Sequence, residues 1–189
     1  MKIMLKETDN FFKDLDEIID NNKITQENLL IILKNYSNRV STFEMAGAIN
    51  TVMEEGKYVS ESYMEAFKEC YIPNFILRIK EVKEDNKTHN DPINEENFKE
   101  AVVLLKNTVY QEGYKNRADK FPLIYSIISL YTTYILDEPI HTVGSEFPGH
   151  TYVEKKYGTY YCPIKKNHED DPVSVCKFCI AEPSENITK

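Results

Sequence analysis

The chain has 189 residues, a length that suits one domain of ordinary size or a core domain with a small appendage. Its 23 basic and 31 acidic residues leave a formal net charge of −8, the wrong sign for a nucleic-acid binder or for docking on an anionic membrane. Hydrophobic residues at 41% make a packed core attainable, while the lack of Trp, with only 6 Gly and 8 Pro, argues against turn-rich sandwiches and barrels.

Lys6, Glu7 and Asp9 interrupt the start of the chain, so no signal peptide is expected there. A first amphipathic helix is expected over 9–21, with Phe11, Phe12, Leu15, Ile18 and Ile19 at spacings of three and four and Asp9 as its cap. Thr25 opens a second, carrying Leu29, Leu30, Ile32, Leu33 and Tyr36. Ser41 with Glu44 forms a capping box for a third, which runs through Phe43, Ala46, Ile49, Val52 and Met53 to a stop at Gly56. A fourth runs from Ser60 to about Lys83, where Pro73 should kink or split it and Cys70 lies in the apolar stripe as a small buried hydrophobe.

The polar stretch 84–92 reads as a surface hinge, with His89 solvated in it. Asn94 caps a fifth helix through Phe98, Val102, Leu105 and Val109, ending at Gly113. Asp119 and Pro122 open a sixth, apolar nearly all round, which is expected to be the central helix. Its stretch 121–136 is the most apolar in the chain, yet it falls short of the roughly 20 residues that span a bilayer. A cytoplasmic protein is expected.

After Pro139 the helical periodicity ends. Glycine and proline turns cluster, and a short hairpin is expected, with strands at 152–154 and 159–161 around Lys-Lys-Tyr-Gly. The fold class is thus mainly α: a six-helix, bundle-like body (1–139) with a small non-helical C-terminal Cys/His module (140–189) packed on it.

That module holds Cys162, Cys176 and Cys179 in a C-x13-C-x2-C set. Two thiolates two residues apart can turn toward one metal ion, and a third from a hairpin end fills three of the four tetrahedral positions that zinc prefers. A disulfide has little use in a cytosolic chain, which also favours metal. Zinc is the leading reading. The alternatives are an iron–sulfur cluster and three ordinary thiols, one pair of which is open to redox cycling. His141, His150 and His168 lie in the same module, and any of them, or water, is open as the fourth ligand.

The stretch from His141 through Phe147-Pro148-Gly149, followed by Tyr160-Tyr161-Cys162-Pro163 and Cys176-Lys177-Phe178-Cys179, resembles an uncharacterised protein family of methanogenic archaea, catalogued as a domain of unknown function. The resemblance is specific in the C-terminal third and diffuse over the helices. It implies an archaeal cytoplasmic protein with a helical body, and it brings no activity, substrate or catalytic residue. The family pattern includes positions matching His141, Phe147, Pro148, Gly149 and the three cysteines, which points to His141 as the fourth ligand.

Three functions follow. The first is a helical protein with a structural metal site that binds or scaffolds an unknown protein or small molecule. The second is a metal-dependent enzyme with an open zinc position and Glu146 or His150 as proton acceptor. The third is an iron–sulfur or thiol redox protein. Phosphate loops, nucleophile elbows and His-Glu-x-x-His helices do not occur in the sequence, so hydrolase and nucleotide readings lack a motif.

Overall fold

Six stretches with an apolar stripe form the long helices of the computed structural model, which describes residues 2–55, 61–110 and 120–184. These are α1 (Lys2–Asp20), α2 (Gln26–Ser37), α3 (Thr42–Glu55), α4 (Glu61–Glu84), α5 (Glu95–Val109) and α6 (Phe121–Tyr134). The expected stops and starts at Gly56, Ser60, Gly113 and Asp119 lie outside the described residues. Among those residues, no helix is long and apolar enough to cross a membrane.

The caps follow the sequence signals. Thr25 accepts the amide of Asn28 at 3.1 Å, and Asn94 accepts that of Asn97 at 2.9 Å. At the head of α3 the Glu44 carboxylate accepts the Ser41 amide while the Ser41 hydroxyl accepts the Glu44 amide, so two otherwise unpaired donors are satisfied reciprocally. Thr25→Ala should cost about 1 kcal/mol of stability in a denaturant titration, because it leaves the Asn28 amide without its acceptor.

Two expectations are corrected. α1 begins well before Asp9, so Asp9 lies inside the helix and accepts the Tyr110 hydroxyl instead of capping. α4 runs on through Pro73 and is not split there, and its second half is held by Phe75, Ile79 and Val82, all buried against the body.

α6 is the centre. Leu123, Ile124, Ile127 and Leu130 are fully buried, and α1, α2, α3 and α4 all pack on it. Two of its hydroxyls fold back on the helix, Ser126 to the Pro122 carbonyl and Thr132 to that of Ile128, whereas those of Ser129 and Thr133 are buried without a hydrogen-bond partner among the described residues.

Beyond Pro139 the described residues form five short strands: β1 (Glu146–Phe147), β2 (Thr151–Tyr152), β3 (Glu154–Lys156), β4 (Thr159–Cys162) and β5 (Glu182–Pro183). β1 and β2 pair antiparallel, while β3, β4 and β5 form a second sheet in which β5 joins β4 in parallel. The expected hairpin is β3–β4, with Lys156 opposite Thr159 and Tyr157 and Gly158 both at positive φ (52° and 91°). Two such residues make the turn that matches the strands' own twist. The module is not wholly non-helical, since it contains one helical turn, α7 (Lys165–His168), and a 3-10 turn at Val175–Lys177.

The module shares the helical core. Val175 and Phe178 are buried with the helices, the Phe178 ring stacks on Tyr134 at 6.3 Å, and the Thr108 hydroxyl donates to the Val173 carbonyl. A second small core lies within the module itself, formed by Phe147, Val153, Cys162 and Ala181 with Cys179 against them.

Candidate functional site

The three cysteines come from two pieces of backbone. Cys162 ends β4 where Pro163 turns the chain, Cys176 sits in the 3-10 turn, and Cys179 follows one turn later. All three are free thiols, with Cys162 and Cys176 buried and Cys179 half-buried. The Ser174 hydroxyl accepts the Cys176 amide and so closes this turn.

The thiols lie within electrostatic reach of one another. Burial pushes the Cys162 thiol up, the amides of Ile164 and Lys165 aimed at its sulfur pull it down, and Cys176 and Cys179 raise it again. Burial likewise raises Cys176, with Cys179 adding to the rise while Ser174 and the Lys165 ammonium oppose it. Lys165 is fixed beside the cluster by donating to the Cys179 carbonyl at 2.8 Å. Among the described residues, no group of three or more His, Cys, Asp or Glu side chains stands in an arrangement that could hold a metal ion. The structure therefore brings the three thiols to one neighbourhood without closing a site around them.

The histidines separate by environment. His141 lies between the rings of Tyr71 (6.3 Å) and Phe147 (5.2 Å, edge-on), and Phe147 belongs to the same small core as Cys162. Burial, with the charge of His168 second, lowers its pKa to about 4, so it is a neutral imidazole near pH 7. It lines a recess between α4 and α6 with Asn74, Arg78 and Ser145, whose free space of about 20 Å³ has room for little more than one water. His150 is exposed at positive φ (54°), and its Nδ1 is 2.7 Å from Glu146 Oε1. That pairing fixes the ring, but its exposure on a hairpin leaves no cavity in which a substrate is enclosed. His168 is exposed at the end of α7.

Two residues depart from expectation. Cys70 is half-buried and not part of the core, with its thiol 3.8 Å from the Ser145 hydroxyl. His89 is not simply solvated: its Nε2 is 2.9 Å from the buried Asp85 carboxylate, which also accepts the Tyr131 hydroxyl at 2.8 Å. The Asp-x-x-x-His spacing was the available signal, but it predicts a contact only if the stretch coils, and this stretch is polar throughout. A larger groove of about 430 Å³ runs between α5 and the cysteine turn.

Residues 25–184 match the model of a family described as "Uncharacterized protein conserved in archaea (DUF2115)". The chain is similar to a UPF0305 protein of Methanothermobacter thermautotrophicus, at 27% identity over 165 residues, covering 87% of this chain and 100% of that protein. It is similar also to a UPF0305 protein of Methanococcus maripaludis, at 30% identity over 154 residues, covering 79% and 91%. A UPF0305 protein of Methanocaldococcus jannaschii is 24% identical over 152 residues, with the same coverage. No solved structure matches.

Proposed function

We propose a function from one premise: the chain belongs to the archaeal family that it matches over residues 25–184. On that premise it acts in the cytoplasm as a binding or scaffolding protein whose C-terminal module is tied together by a structural metal ion, zinc. The observation that carries this is that three free thiols from two pieces of backbone lie within electrostatic reach of one another, beside a lysine ammonium. Three thiolates on one divalent ion leave a net charge of −1, and Lys165 offsets it. The amides aimed at the Cys162 sulfur serve the same end, because they stabilise the thiolate form that metals bind.

His141 is the proposed fourth ligand. A neutral imidazole is the form that binds zinc, and its ring touches Phe147 of the cysteine core. Four protein ligands would close the shell and leave no position for a substrate, which favours a structural role over catalysis. An iron–sulfur cluster on the same thiols is the competing occupant, and its visible absorption distinguishes it.

Protein purified without oxygen should contain about one zinc per chain and no visible chromophore. The Cys162→Ser, Cys176→Ser double variant should contain none. Chelation should leave the far-ultraviolet circular dichroism of the helical body (1–139) nearly intact while proteolysis rises within the module. Protein that holds no metal and takes up none from added zinc overturns the reading.

A further inference from the structure

We propose that the groove between α5 and the cysteine turn binds a small amphiphilic carboxylate, an apolar body carrying one negative head. Its volume of about 430 Å³ falls within the roughly 300–1,000 Å³ of small-molecule sites. The apolar part is already formed. Leu104 and Phe178 are buried in the groove lining, while Val103 is 55% exposed on the outer side of α5, where a solvated helix face would carry a polar residue.

The polar part selects the charge. Two lysines, Lys99 and Lys177, line the groove against one acid, Glu100, in a chain whose acids outnumber its bases 31 to 23. Lys99 is engaged by Glu95 at 3.5 Å. Lys177 enters no ion pair among the described residues, so its ammonium is the cation left for a ligand's head group. The inference gives the binding role proposed above its ligand class. It rests on the metal reading in one respect only: Lys177 and Phe178 lie between Cys176 and Cys179, so whatever orders the cysteines also sets the groove wall.

The test is calorimetric titration of the full chain with decanoate, and with decanol and decyltrimethylammonium as neutral and cationic counterparts. Decanoate should bind, and both counterparts should bind at least about tenfold more weakly, a difference of about 1.4 kcal/mol. Lys177→Glu and Val103→Asp should each weaken decanoate about tenfold. Both side chains face solvent, and Val103 lies on α5, away from the cysteines, so an unchanged unfolding midpoint separates lost binding from lost folding. Failure of decanoate to bind, equal binding of the cation, or indifference to both substitutions overturns the proposal. Metal content is measured on the same samples. Metal-free protein that still binds decanoate through Lys177 and Val103 upholds the groove and removes the metal, whereas metal-loaded protein that ignores decanoate does the reverse.

Discussion

Lys120→Ala should destabilise the protein by about 3–5 kcal/mol, the usual cost of deleting one partner of a buried charge cluster. Lys120 is 7% exposed and its ammonium makes three contacts: Glu7 at 2.7 Å, Glu44 at 2.9 Å and the Arg39 carbonyl at 3.0 Å. An ammonium has three donors, so each is used. Those contacts tie α1, the α2–α3 junction and the start of α6 to one point. Without the cation, two poorly solvated carboxylates face each other.

The pH dependence identifies the cause. Burial pulls the Glu44 carboxyl up, but Lys120 and Ser41 outweigh it and hold it below its ordinary 4.5. A depressed carboxylate stabilises the fold above its unfolded value, and that contribution is lost as pH falls through the folded one. The gap between wild type and Lys120→Ala should therefore be widest near neutrality and narrow below about pH 4.5. Adding Glu7→Gln and Glu44→Gln to the variant should recover part of the loss, since no buried charge then lacks a partner. A cost under about 1 kcal/mol would show that the cluster behaves as a surface pair.

The body was legible because helices are written locally. Phe11, Leu15 and Leu29 fall at helical spacing and are fully buried, and Thr25, Ser41 and Asn94 sit where unpaired amides need acceptors. The β3–β4 turn was legible for the same reason, although its first strand lies two residues later than the alternation suggested.

What the sequence hid is non-local. Glu7 lies in a polar stretch with no helical signal until Lys120, far along the chain, reaches it. Nothing near His89 foretells that Asp85 will be buried under Tyr131. The three thiols lie within electrostatic reach of one another, but their spacing carries no information about where His141 goes. That position is set by the rings of Tyr71 and Phe147, which belong to different elements.

Asp85→Ala should cost about 3 kcal/mol, because it removes the acceptor of several donors at once. The carboxylate is 4% exposed and accepts the Lys87 amide at 3.0 Å, the Tyr131 hydroxyl at 2.8 Å and His89 at 2.9 Å. Lys87 and His89 can turn to water after the change, but the Tyr131 hydroxyl is buried and cannot, so most of the cost falls there. Tyr131→Phe in the Asp85→Ala background should then add little, and the two substitutions should be strongly non-additive in a double-mutant cycle. The same loop is held at its far end, where the Asp91 amide donates to Gln26, whose own amide donates to the Tyr134 carbonyl. Loss of Asp85 should therefore speed amide exchange at Lys87 more than at Asp91. Acid should show the sign of the interaction. Burial pulls the Asp85 carboxyl up, yet the Lys87 amide, Tyr131 and His89 hold it below its ordinary 3.8, so its stabilisation is present above that pH and fades below it. Wild type should lose more stability than Asp85→Ala between about pH 5 and about pH 2. Parallel losses in the two proteins would show that Asp85 is solvated in solution and that the loop is held without its carboxylate.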